Sequence, residues 1–216
     1  MTRIKLTYPK IPDSKNCPNT QCIAFEKYDG TNLHWVWNSE LKWYAFGTRR
    51  DRFDLDEMGI KEFQKAHPGL EIAPDIFLIE IAPSLDKFFR ENPDYYSAEI
   101  TVFTEFLGEN SFAGQHKTED KKQLILFDVE INTGIIPPQK FITDFRDFPI
   151  AKVIYQGKIT GKFIDDVRQG KYNLNEGVVC KGVNRDGSMW MAKIKTYNYM
   201  QKLQQVFQQN WLNYWE

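Results

Sequence analysis

Cysteine is scarce in this chain of 216 residues: Cys17, Cys22 and Cys180 are the only three, and no Cys-x-x-Cys occurs. An odd, unpaired set is the usage of a reducing, intracellular compartment. The three histidines, His34, His67 and His116, make no ligand-spaced set with those cysteines, which leaves zinc without a site. Long apolar runs are also missing. Nothing approaches the roughly 18 residues needed to cross a bilayer, and Met1 to Leu6 lacks the apolar core of a signal peptide. Neither sign of charge dominates, with 28 Lys and Arg against 29 Asp and Glu. A domain that coats nucleic acid through bulk positive charge is thereby disfavoured, whereas a local basic cleft is not. There is no internal repeat, low-complexity block or Ser/Gly linker. These absences lead us to expect a soluble, cytoplasmic protein without a membrane partner.

What is present is an ample core. Hydrophobic residues make up 42% and aromatics 15%, enough for one large domain or two small ones. Segments rich in β-branched and aromatic residues predict strands at Cys22 to Phe25, Leu33 to Trp37, Trp43 to Phe46, Ile76 to Ile81, Ile100 to Phe106, Gln123 to Ile131, Gly177 to Lys181 and Met189 to Lys195. Helical periodicity predicts helices at Asp54 to His67, Leu85 to Glu91 (stopped by Pro93), Pro138 to Phe148, Lys162 to Gln169 and Tyr197 to Trp215. Helices inserted between antiparallel strands, without strict alternation, indicate an α+β fold.

Six short elements carry chemistry. In Glu26-Lys27-Tyr28-Asp29-Gly30-Thr31-Asn32, a lysine ends an apolar strand and an Asp-Gly turn follows at once. Alternation sets Lys27 on the face of Ile23 and Phe25, where a partly desolvated amine near other cations becomes a nucleophile. In Thr48-Arg49-Arg50-Asp51-Arg52, three arginines cluster at a strand end, either as a solvated edge or as a phosphate clamp. Arg49 fits the clamp best and Arg50 stands beside it. Glu105 sits mid-strand among apolar residues and precedes Leu107-Gly108, either on a solvated strand face or buried with a partner for its carboxylate. Phe127 precedes Asp128 in a second apolar strand. Last come Glu176-Gly177-Val178-Val179-Cys180-Lys181 and Lys193-Ile194-Lys195. Alternation turns Lys193 and Lys195 to one face, where their mutual repulsion calls for an anion.

Taken in order, these elements resemble the covalent nucleotidyltransferases, the polynucleotide ligases and RNA capping enzymes, and most closely the RNA ligase 2 family. The resemblance runs from about Cys22 to Thr196. It implies an ATP-grasp-like ligase nucleotidyltransferase domain of antiparallel sheets with inserted helices, filling 1–216. It also implies no OB-fold or other C-terminal domain after the helix at 197–216, which leaves either a minimal ligase or one that needs a protein partner in place of the helical domain of larger relatives. Lys27 would be the adenylylated nucleophile. Glu26, Arg49 or Arg50, Glu105, Phe127, Glu176, Lys193 and Lys195 would bind ATP, with Phe127 stacking on the purine, Glu105 taking a ribose hydroxyl, and Glu176 also holding Mg²⁺ or Mn²⁺. The implied activity is ATP-dependent sealing of nucleic acid ends, RNA ahead of DNA. A GTP-using capping enzyme and a non-catalytic end binder are the alternatives. Asn110 to His116 would form a polar loop at the rim, with His116 a loop residue.

Overall fold

The computed structural model describes residues 7–96, 98–108, 119–132 and 134–213. The expected rim loop Asn110 to His116 and the end of the last helix at Trp215 lie outside the described residues. The strands, in chain order, are β1 (Gln21–Lys27), β2 (Thr31–Asn38), β3 (Lys42–Thr48), β4 (Phe53–Asp54), β5 (Ile100–Leu107), β6 (Gln123–Ile131), β7 (Gly134–Ile135), β8 (Val153–Lys158), β9 (Gly177–Val183) and β10 (Met189–Lys195). The helices are α1 (Glu57–Ala66), α2 (Ala73–Ile76), α3 (Ala82–Glu91), α4 (Pro93–Tyr96), α5 (Pro138–Phe145), α6 (Gly161–Arg168) and α7 (Tyr197–Phe207). Every pair of these strands that meets in a sheet is antiparallel, so the fold is α+β. Among the described residues no helix is long and apolar enough to cross a membrane.

The chain forms two compact units, each built on one sheet. The first contains residues 10–29, 137–143 and 151–216, and its four strands run in the order β10-β9-β1-β8. Cross-strand neighbours share a face, so the register sorts the side chains into two sets. Cys22, Ala24, Val178, Cys180, Trp190, Ala192 and Ile194 face Ile159 and the α6 residues Phe163 and Val167 in a buried core. Thr160 caps α6 by accepting from the Phe163 N–H, which contributes about 1 kcal/mol. The opposite face carries Ile23, Phe25 and Lys27 of β1, Gly177, Val179 and Lys181 of β9, and Met191, Lys193 and Lys195 of β10.

The second unit contains residues 1–9, 30–136 and 144–150 around the sheet β4-β3-β2-β5-β6-β7. Its core is aromatic. Trp35 stacks between Phe77 (3.9 Å between centroids) and Phe46 (5.5 Å), and its indole N–H donates to the Thr104 hydroxyl. Trp37 and Trp43 satisfy their N–H groups on Asp86 and the Ala82 carbonyl. His34, 1% exposed, donates from Nδ1 to the Thr48 carbonyl, and burial pushes its pKa down to about 4.

The structure corrects two sequence expectations and adds short elements that the sequence did not predict. Ile76 to Ile81 is helical: α2 runs into a π-helical turn at Phe77–Ile81 and then α3. A short apolar run looks the same in a buried strand and a buried helix, and the prolines decide. Pro74 sits in the first turn of α2, while Pro83 has no N–H and crowds the preceding turn, so the Ala82 N–H reaches back to the Phe77 carbonyl. β8 was not expected, because Gln156 and Gly157 break its apolar pattern; it is an edge strand, where polar residues are tolerated. The last helix turns at Gln208, where φ is 45°, and continues as a 3₁₀ segment over Gln208–Asn213. Pro93 closes α3 as expected and opens α4 itself.

Candidate functional site

Lys27 ends β1, at the edge of the polar face of the first unit's sheet. Its direct neighbour on β9 is Gly177, whose own neighbour on β10 is Lys195, so one rung reads Lys27–Gly177–Lys195. Only glycine fits the middle. A Cβ at Gly177 would lie 2.0 Å from the Ile194 carbonyl oxygen and 2.9 Å from the Lys195 Cα. The rung therefore places two lysines on one face with no side chain between them. Glu176, the residue before, supplies the anion: its Oε1 is 2.8 Å from Lys27 Nζ and 3.8 Å from Lys195 Nζ, and its side chain is 4% exposed. Lys193 lies one step along the same face, opposite Val179.

A fourth lysine completes this face. Lys181, 2% exposed, holds its ammonium over the rings of Phe25 (4.9 Å) and Phe141 (5.8 Å). Lys181 closes the Glu176–Lys181 motif without being a predicted site residue; its alternation with Val179 and Gly177 is the signal that marks it. Glu26 points the other way. It pairs with Val178 on the opposite face and hydrogen-bonds Tyr28, whose pKa is pushed up to about 12 by burial and by that glutamate. The side chains of Glu26 and Lys27 are thus on opposite faces of β1.

The remaining candidates are in the second unit. Gly30 donates its N–H to Glu105 Oε1 at 3.1 Å, and a Cβ on Gly30 would come within 2.4 Å of the Phe106 carbonyl. Asn32 stands directly across from Glu105. Arg49 is half-buried and Arg50 exposed. Arg49 donates from Nε to the Tyr8 carbonyl at 2.9 Å, while its Nη2 is buried without a hydrogen-bond partner among the described residues; Asn32 Oδ1 is in the same condition. Burial lowers the Arg49 pKa from its ordinary value. A buried guanidinium nitrogen and amide oxygen left unsatisfied are what a polar ligand would complete.

Phe127 occupies a β-bulge. Thr104 pairs with Leu126 and Phe103 with Asp128, which leaves Phe127 as the extra residue. The bulge puts Asp128 on the face that carries Phe103 and Glu105, where it accepts a hydrogen bond from the Tyr8 hydroxyl. The Tyr8 ring meets Phe103 and Phe127 edge-on. Burial, and then Asp128, push the Tyr8 pKa well above its ordinary value. Tyr8 thus joins Arg49 to the Phe127–Asp128 bulge, and no local sequence signal marked it.

Charge divides unevenly between the units. The one carrying Lys27 has 14 Lys and Arg against 8 Asp and Glu; the other has 14 against 21. A near-neutral total therefore conceals a basic unit.

No family model matches the sequence, and no curated protein matches it. Solved structures do. The fold superposes on a Naegleria gruberi RNA ligase with PPi at a TM-score of 0.61 and 14% identity, covering 91% of this chain and 58% of that one. It superposes on an archaeal ATP-dependent RNA ligase at 0.60 and 17%, covering 93% and 51%. A mutant of the Naegleria gruberi ligase with ATP and Mn gives 0.59 and 15%. The fold is that of the ATP-dependent RNA ligases. This chain spans 51 to 58% of the length of the ligases just described. Within the ligase fold, the first unit here gathers Lys27, Glu176, Lys181, Lys193 and Lys195 on one sheet face, and the second gathers Tyr8, Asn32, Arg49, Glu105, Phe127 and Asp128.

Proposed function

We propose that this protein is an ATP-dependent RNA ligase whose nucleophile is Lys27. The observation that carries the reading is the contact of Lys27 and Lys195 with one buried carboxylate, Glu176, across a glycine rung. In the first step the neutral Lys27 amine attacks the α-phosphorus of ATP. An N–P bond forms, the bond from the α-phosphorus to the bridging oxygen breaks, pyrophosphate leaves, and the amine loses a proton. Lys193 and Lys195 neutralise charge developing on the phosphate oxygens, the largest contribution to this type of transfer. AMP then passes from Lys27 to a 5′-phosphate end, and a 3′-hydroxyl attacks that activated phosphate, expelling AMP as the phosphodiester forms.

The other candidates take the nucleotide's remaining groups. Glu105 accepts a ribose hydroxyl, Phe127 stacks on the purine for about 1–3 kcal/mol, and Arg49 completes its buried Nη2 on a phosphate oxygen. Glu26, on the opposite face from Lys27, is the weakest of the proposed nucleotide contacts. We regard the two units as one nucleotidyltransferase domain. The donor set fits a divalent ion carried on the triphosphate. Glu176 is a single hard carboxylate, and Mg²⁺ commonly binds one or two carboxylates together with substrate phosphates. Such an ion, Mg²⁺ or Mn²⁺, would withdraw charge from the phosphate oxygens. The basic excess of the Lys27 unit supports a nucleic acid substrate.

The test is transfer of label from α-labelled ATP to the protein, run beside α-labelled GTP, then sealing of RNA and DNA nicks by the adenylylated protein. Labelling from ATP that is absent in Lys27→Ala is the expected result. Full labelling of that variant would sink the assignment.

A further inference from the structure

Tyr199 lies in the first turn of α7, directly after the Lys193–Lys195 strand, and is 1% exposed. Its hydroxyl donates to Asp29 Oδ1 at 2.8 Å, and Asp29 itself is 3% exposed. Its ring lies beneath Lys195, whose Nζ is 5.3 Å from the ring centroid. The start of α7 is held twice more. Thr196 caps it by accepting from the Tyr199 N–H, and the Thr196 N–H donates to the Glu176 carbonyl at 2.8 Å.

These contacts close a circuit within one unit. Lys27 meets Glu176, Glu176 meets Lys195, Lys195 lies over Tyr199, Tyr199 binds Asp29, and Asp29 is two residues from Lys27. The four contacts are charge-assisted or cation–π in a largely buried setting, where such contacts are strongest, and the chain itself closes the circuit from Asp29 to Lys27. Tyr199 is the one member of the circuit drawn from α7, and it touches both the turn after the nucleophile and the partner lysine. A phenylalanine there would keep the cation–π contact and lose the hydrogen bond, leaving Asp29 without its buried hydroxyl donor.

We propose that Tyr199 is a positioning residue for the Lys27 reaction, fixing the turn after Lys27 through Asp29 and the Lys195 ammonium through its ring. The inference rests on Lys27 being the nucleophile. It makes α7 part of the reaction centre without giving it any contact to ATP.

Single-turnover labelling from α-labelled ATP tests this in the wild type, Tyr199→Phe, Asp29→Ala and the double variant. We expect Tyr199→Phe to slow the rate constant by about tenfold, since small misplacements of reacting groups have effects of this order or larger. The ATP concentration for half-maximal rate should stay within about twofold, and the double variant should be no slower than the slower single variant, the sign of coupled residues. Tyr199→Leu, which loses the ring as well, should be slower than Tyr199→Phe. An unchanged rate constant overturns the proposal. So does a loss confined to the fraction of protein labelled, which reports misfolding, and so do additive losses. Hydrogen exchange at Tyr28 and Asp29 provides a readout independent of ATP: faster exchange in Tyr199→Phe supports the clamp, and unchanged exchange overturns it. A wild type that takes no AMP would instead bring down the assignment of Lys27, with the exchange result still deciding whether Tyr199 holds the turn.

Discussion

Lys27 and Lys195 stand at the two ends of a single rung, three strands wide, whose middle residue has no side chain. Like charges on one face of a sheet repel, and here the repulsion is relieved from the neighbouring position by the Glu176 carboxylate. The arrangement makes Glu176 a partner of both lysines. Glu176→Gln retains the volume and removes the charge. We expect AMP transfer to Lys27 to fall by about 100-fold, the scale of removing one electrostatic element from such a site. The rate of protein labelling checks it, and a variant within about threefold of wild type contradicts the role.

The two neighbouring arginines should behave differently. Arg49 is half-buried, tied to the Tyr8 carbonyl, with a buried nitrogen that has no hydrogen-bond partner among the described residues, whereas Arg50 is exposed. Arg49→Ala should reduce adenylylation by about 100-fold, in the range for loss of a donor to developing charge. Arg50→Ala should remain within about threefold, as an exposed cation contributes little. Equal losses in the two would remove the distinction that burial draws.

Gly177→Ala should be poorly tolerated. The new Cβ would meet backbone atoms of Ile194 and Lys195, which cannot swing aside as a side-chain tip could. We expect a loss of at least about 2 kcal/mol in urea unfolding, the scale of a strained backbone site. Gly134→Ala is the control, with open space around its Cβ, and should stay within about 0.5 kcal/mol.

His34 gives stability a pH dependence with a definite sign. In the fold it is buried and neutral down to about 4, while the unfolded chain takes up a proton near 6.5. Between those values the unfolded state binds more protons, so stability falls as the pH falls. The contribution is fully present above about 6.5 and is lost by about pH 4, amounting to roughly 3 kcal/mol. Unfolding of wild type and His34→Gln at pH 7 and pH 4.5 checks this: the variant should lose less stability than the wild type between the two.

Much of the fold was legible because strands advertise themselves locally. The β6 and β10 boundaries follow directly from Gln123 to Ile131 and Met189 to Lys195, and alternation placed Lys193 and Lys195 on one face of β10, whereas bringing Lys27 to that face took the β1-β9-β10 register. What escaped depends on distant parts of the chain. Tyr8 binds a carboxylate 120 positions away and Tyr199 one 170 positions away, separations that leave no local pattern. The helical conformation of Ile76 to Ile81 escaped because the apolar run outweighed the two prolines that flank it. Arg49 and Arg50 differ in burial, which the sequence of two adjacent identical residues does not reveal.

The bulge at Phe127 has a consequence for how β6 tolerates change. Thr104 opposite Leu126 and Phe103 opposite Asp128 already form consecutive rungs of an ordinary ladder. A chain shortened by that one phenylalanine could keep every other β6 side chain on its present face, whereas removal of any paired residue beyond the bulge would turn its neighbours over. The aromatic ring is supernumerary to the sheet, and hydrogen-bond register alone does not require it there.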